Sequence, residues 1–184
     1  MSSYSKVSGS HAYGYGIATV TNDGAVLDTY FHNLGLGTLQ GSSIVDLSRF
    51  EGNDDIRKVS RKSVAIEIDL TKAPTSVSDA YLRLHLLSYR LVKPHGLSLD
   101  GIFGILNNVV WTSHGPCAVA GFEKVRAELR ATYGFVAVYG VDKFPRMVDY
   151  VVPEGVRIAD GDRVRLGAHL SSGTTVMHEG FVNF

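Results

Sequence analysis

From residue 158 onwards an aliphatic side chain recurs every sixth position: Ile158, Val164, Leu170, Val176 and Val182, with Val152 extending the series backwards. Val, Leu and Ile together make up 47 of 184 residues. Five hits in one phase then arise by chance about once in a thousand. The fourth residue after each aliphatic is small in three cases, Ala168, Thr174 and Gly180. No α-helix has a period of six and an ordinary strand alternates with a period of two. A parallel β-helix accounts for both features, because each flat face takes six residues with an aliphatic inside and a small residue near the corner. Two short strands spaced by accident are the competing reading.

Three such faces make a coil of about 18 residues, and a solenoid gains stability by stacking repeats under a polar cap. The periodic stretch ends at Val182-Asn183-Phe184 without one. The expectation is a truncated chain whose last coil leaves apolar surface exposed and prone to association.

Ahead of Pro153 the texture is that of a mixed α/β domain. Residues 1–13 are small and polar and are expected to form a flexible arm. Strands are expected over 16–20 and 25–31, joined by a turn at Asn22-Asp23-Gly24, and over 61–70, where Val64, Ile66 and Ile68 alternate with polar residues. The Gly-, Ser-, Asn- and Asp-rich stretch 32–58 reads as a long loop. Leu84, Leu87 and Leu91 predict a helix over about 77–92, and an almost uncharged run predicts a second over 99–110, broken by His114-Gly115-Pro116. Phe122, Val125 and Leu129 mark a third helix that Gly134 ends, and 135–139 reads as a strand. The resulting organisation is an arm (1–13), an α/β domain (14–151) and the incomplete start of a β-helix (152–184).

Charge is balanced, with 18 Lys and Arg against 18 Asp and Glu. A basic surplus for neutralising phosphates is missing, so nucleic acid is not expected as the main partner. No apolar run approaches the ~20 residues that span a bilayer. Cys117 is the one cysteine, which excludes an internal disulfide and suits a reducing cytoplasm. As a nucleophile it would need a base to hold its thiolate, and His114 is close in sequence; packing is the reading preferred. Gly14-Tyr15-Gly16 is followed by a strand rather than a helix N-terminus, which removes the dinucleotide-loop reading.

Five runs carry a family resemblance: Tyr81–Ser88 (YLRLHLLS), Asn107–Thr112 (NNVVWT), His114–Ala118 (HGPCA), Val141–Tyr150 (VDKFPRMVDY) and Thr174–Asn183 (TTVMHEGFVN). Together they resemble the actinobacterial type of tetrahydrodipicolinate N-succinyltransferase, from about residue 16 to the end. The resemblance implies a left-handed hexapeptide β-helix and succinyl transfer from succinyl-CoA to tetrahydrodipicolinate, a small dicarboxylate of the diaminopimelate route to lysine. It also implies a homotrimer, and a catalytic glutamate positioned past Phe184. Donor choice is not readable from these residues, so an acetyl-CoA-dependent hexapeptide transferase is the alternative enzyme. A non-catalytic homologue acting as an interaction module is the alternative outside enzymology.

The resemblance matches Asp162 and Glu179 to carboxylates that hold Mg²⁺ on the trimer axis. The residues themselves are compatible with that. Asp162 occupies a repeat position where a small residue is the rule, and Glu179 follows 17 residues later, close to one coil. Three chains would gather six carboxylates, which repel unless a hard divalent ion intervenes. Solvated corner residues are the other reading. His178 is a candidate proton carrier beside Glu179. His85 is expected to be packed rather than catalytic, and Lys143 and Arg146 are candidates to meet a dicarboxylate or to form structural salt bridges.

Overall fold

The computed structural model describes residues 10–41 and 43–184. Most of the arm expected over 1–13 therefore lies outside the described residues, and its last three residues already belong to a strand. That strand is β1 (His11–Thr21). The turn at Asn22-Asp23-Gly24 leads into β2 (Val26–Leu36), and the two strands pair antiparallel. Both are longer than the alternation suggests, because pairing continues through the glycines. Gly14 and Gly16 keep the backbone low over the core: a Cβ on Gly14 would come 2.6 Å from the Phe31 ring and 2.8 Å from Leu82.

The stretch 32–58 is not one long loop. It holds the end of β2, a 3₁₀ turn at Leu47–Phe50 and the short strand β3 (Gly52–Asp54). With β4 (Val59–Asp69) these form a four-stranded antiparallel sheet in the order β2-β1-β4-β3.

One face of that sheet is covered by α1 (Val77–Ser88). The helix starts where Ser76 caps the N–H of Asp79, and every residue from Ser78 to Ser88 is buried. Its Leu-rich sequence supports that, yet it also buries Asp79, Arg83 and His85, which is the behaviour of a helix enclosed on all sides. The helix ends four residues before the expected boundary. Arg90 takes a left-handed conformation (φ 62°), and its guanidinium donates to the carbonyls of Leu170 and Glu154. Leu91 falls outside the helix and is 44% exposed.

The second expected helix is a single turn, α2 (Ile102–Ile105), and Val109 onwards is a strand instead. That strand, β5 (Val109–Thr112), pairs antiparallel with β6 (Gly115–Ala118) and with β7 (Val138–Asp142). Strand pairing on both sides outweighs a helical preference that its β-branched and aromatic residues hold only weakly. The His114-Gly115-Pro116 break is the hairpin between β5 and β6. Between β6 and β7, α3 (Phe122–Tyr133) runs as predicted and ends at Gly134, whose φ is 82°. Alternation along β5 splits the apolar interior: Val109 and Trp111 face the main core, while Val110 joins Cys117, Phe122, Val125 and Leu129 beneath α3.

The period of six reappears in space. β8 (Arg157–Ile158) pairs in parallel with β9 (Thr175–Val176), and an isolated parallel bridge joins Val164 to Val182. Each pairing links residues 18 apart, three periods of six. Val164, Leu170 and Val176 are buried, and Ile158 and Val182 pack against the same cluster. Val152 breaks the series, being 81% exposed. The described residues form these two ladders and no complete parallel β-helix.

The ladders dock directly onto α1, and Val164, Leu166, Ala168 and Leu170 share one hydrophobic cluster with Leu82, Leu84 and Leu86. Gly167 sits at the seam with φ 104°; a Cβ there would lie 2.6 Å from Leu84 and 2.8 Å from Phe184. Its N–H donates to Ser88 Oγ at 2.8 Å. Gly167→Ala should cost about 1–3 kcal/mol through backbone strain and crowding. Urea unfolding checks this, and an unchanged midpoint would show that the seam yields freely.

Candidate functional site

The surface around Asp162 is organised by two arginines. Arg146 and Arg165 face each other across an antiparallel bridge. Arg146 grips Asp149 with two hydrogen bonds of 2.9 and 3.0 Å and reaches Asp162 at 3.3 Å. It also lies over the Tyr139 ring, 3.9 Å from its centroid. The Asp149 hydrogen bond holds the Arg146 guanidinium above its ordinary value. Arg165 pairs with Asp142 and donates to the Phe144 carbonyl. Lys143 donates to the Leu106 carbonyl. Arg146 thus forms structural salt bridges, the alternative considered for it, whereas the contact found for Lys143 is to a backbone carbonyl. The Asp142–Arg165 pair had no signal in the sequence, because the two are joined only by the fold.

Asp162 sits in the 3₁₀ turn Gly161–Arg163, with its N–H bonded to Asp160 Oδ1. Glu179 follows β9, and its carboxylate contacts His178. The side chains of Asp162 and Glu179 are 58% and 75% exposed. In the 18-residue register set by Val164 and Val182, Asp162 lies opposite Gly180, one place from Glu179. Both are oxygen donors on the surface, the placement a site shared between chains requires, and hard carboxylate oxygens suit Mg²⁺. Among the described residues no group of three or more His, Cys, Asp or Glu is gathered for a metal within one chain.

A larger cleft lies elsewhere. A volume of about 830 Å³ opens between the 94–100 loop and the end of the chain, lined by Ser98, Asp100, His169 and Phe184 among others. His169 Nδ1 is 3.1 Å from the Val92 carbonyl. The cleft does not include Asp162 or Glu179.

Two further candidates resolve as packing. Cys117 is fully buried, and burial pushes its thiol above the ordinary value, the opposite of an activated nucleophile. His114 stacks on Tyr133 at 4.8 Å rather than serving it. His85 is enclosed: Nδ1 lies 2.7 Å from the Tyr81 carbonyl and Nε2 accepts the Phe31 N–H at 3.4 Å.

Comparison with known proteins bears out the resemblance read from the sequence. A family model described as "Tetrahydrodipicolinate N-succinyltransferase middle" matches residues 106–146. A 2,3,4,5-tetrahydropyridine-2,6-dicarboxylate N-succinyltransferase of Salinispora tropica is 53% identical over 94% of this chain, which covers 57% of that protein. The enzyme of the same name from Vibrio cholerae is 59% identical over 60% of the chain, covering 32% of its own length. The chain thus spans about half, or less, of these curated relatives. Among solved structures, a Campylobacter jejuni chain assigned as a 2,3,4,5-tetrahydropyridine-2-carboxylate N-succinyltransferase aligns over 94% of this chain and 58% of its own, with a TM-score of 0.71. At 24% identity that likeness speaks for the fold alone. No helix among the described residues is long and apolar enough to cross a membrane.

Proposed function

We propose that this chain is the amino-terminal part of an enzyme that transfers the succinyl group of succinyl-CoA to tetrahydrodipicolinate, in the diaminopimelate route to lysine. The observation that carries the reading is 53% identity with the Salinispora enzyme across 94% of the chain. In the reaction the substrate nitrogen attacks the thioester carbonyl, the C–N bond forms, the C–S bond breaks and CoA leaves as its thiol. Water then adds at the imine carbon, the ring C–N bond breaks, and the water oxygen becomes the 6-oxo group of N-succinyl-2-amino-6-oxopimelate.

In this reading the ladders at 157–158/175–176 and 164/182 are the first turn of a left-handed hexapeptide β-helix. The 18-residue offset and the buried aliphatic every sixth residue support it. Residues 14–151 are the α/β domain that carries this turn, 152–184 its beginning, and the working protein is a cytoplasmic homotrimer. Asp162 and Glu179 from three chains would hold Mg²⁺, whose charge would offset part of the repulsion among six carboxylates and so help tie the subunits together. Arg146 holds Asp162 in place beforehand.

Release of CoA thiol tests the activity. The protein containing this chain should release thiol from succinyl-CoA only when tetrahydrodipicolinate is present. Faster release from acetyl-CoA would replace the donor assignment, and binding to a full-length subunit without any release would favour the interaction module. For the metal, Mg²⁺ should raise the melting temperature of the trimer by a few degrees, since each ~1 kcal/mol of ligand linkage is worth about 2–4 °C at this size. Asp162→Asn with Glu179→Gln should abolish that rise. A rise that survives both substitutions would move the ion elsewhere.

A further inference from the structure

Asp28, within β2, is buried with no cation in contact among the described residues. Its Oδ2 accepts a hydrogen bond of 2.5 Å from Tyr150 Oη, 122 residues along the chain. Among the described residues its Oδ1 and the Tyr81 hydroxyl are both buried without a close hydrogen-bond partner, and Thr19 of β1 lies beside the carboxyl. Aromatic rings enclose the group: Tyr150 has Tyr81 at 5.9 Å, His85 at 5.7 Å and Trp111 at 6.4 Å between centroids. Arg57 is the nearest cation in effect, but its guanidinium is taken up by Asp54 and the Pro116 carbonyl.

A buried carboxyl without a counter-ion is costly and is retained where something depends on it. Here Tyr150 closes the Met147–Asp149 turn, and the Met147 N–H donates to the carbonyl of Val164 in the ladder at 2.8 Å. We propose that Asp28 and Tyr150 form a buried, titratable clasp that fixes the 145–151 segment, and through it the parallel ladders, onto the N-terminal sheet.

The surroundings set its sign. β1 contributes Thr19, α1 contributes Tyr81 and His85, the 55–58 turn contributes Arg57, and Asp142 at the end of β7 acts on Tyr81. Burial holds the Asp28 carboxyl above its usual range, and also keeps both phenols protonated well above theirs. A carboxyl raised in the folded state loses its proton more readily in the unfolded chain. Its contribution to stability is therefore withdrawn as pH rises from the unfolded value of 3.8 through the folded one, and is constant beyond.

Two variants of this chain test the clasp. Asp28→Asn keeps the shape without the ionisation. The difference in urea midpoint between it and the parent chain should shift in favour of the variant between pH 4 and pH 8. A difference that does not change with pH would overturn the titratable part. Tyr150→Phe removes only the donor. Amide exchange at Ala159, Arg165 and Val182, whose N–H groups bond within the ladders, should then accelerate about tenfold relative to β1 and β4, the loss of one buried hydrogen bond. Equal acceleration in the sheet and the ladders, or none, would show that Tyr150 is ordinary packing. Should the Asn variant fail to fold, the exchange pattern of Tyr150→Phe decides alone.

Discussion

Replacing Arg83 with Met should destabilise the chain by about 3–5 kcal/mol, because it strands a charge in the core. Arg83 is 1% exposed, and its Nε donates to Asp79 at 2.7 Å. The rest of its fork reaches the carbonyls of Asp69, Leu70 and Ser98. The guanidinium thus ties the end of β4 and the 98–100 loop to the middle of α1. Asp79 in turn accepts from the N–H of Thr75 and belongs to the helix cap. With Arg83 gone, the Ser98 carbonyl loses its donor, the Leu70 and Asp69 carbonyls are left with the Ser98 and Lys72 N–H groups, and the Asp79 carboxylate loses its counter-charge. Adding Asp79→Leu should recover part of the loss, since the remaining unpaired charge is then removed. Urea unfolding of the single and double variants measures both. A single variant within 1 kcal/mol of the parent on that scale would mean that water replaces the arginine, contrary to its burial.

The second large effect is a loss of stability in mild acid traced to His85. Burial lowers this imidazole from 6.5 to about 4, partly offset by its bond to the Tyr81 carbonyl. With Nδ1–H donating to that carbonyl, Nε2 must stay unprotonated to accept the Phe31 N–H. A proton on Nε2 would set two donors against each other in the core. The folded value lies below the unfolded one, so stability is complete above pH 6.5 and drains away as pH falls towards 4. Two to three pH units of linkage correspond to about 3 kcal/mol. His85→Gln, which can also donate and accept but does not titrate, should flatten the curve in this window. A parent chain whose stability is level from pH 7 to pH 4.5 would contradict the assignment. Asp28 works in the opposite direction over part of the same range, and the Asp28→Asn variant separates the two.

Local rules were sufficient where the pattern was long and the partner implied by the pattern itself. The period of six at 158–182 anticipated the 18-residue offset of the parallel pairings, since three periods of six make 18. α3 was legible for a similar reason: its apolar stripe and Gly134 lie within one continuous segment. The family resemblance of the Val141–Tyr150 run also needed only the sequence. What the sequence did not determine were outcomes of competition between distant segments. Val109–Thr112 became a strand because β6 and β7 pair with it, and α1 stopped at Ser88 because Arg90 bonds the ladder segment. Asp28 and Tyr150 look like ordinary polar residues until packing brings them together and excludes water, and Asp142 and Arg165 are joined only by the fold. Burial converts such residues into constraints, and burial is a property of the assembled chain. Asp162 and Glu179 stand between the two cases: spacing places them one position out of register, and the shared ion proposed for them would need neighbouring chains as well.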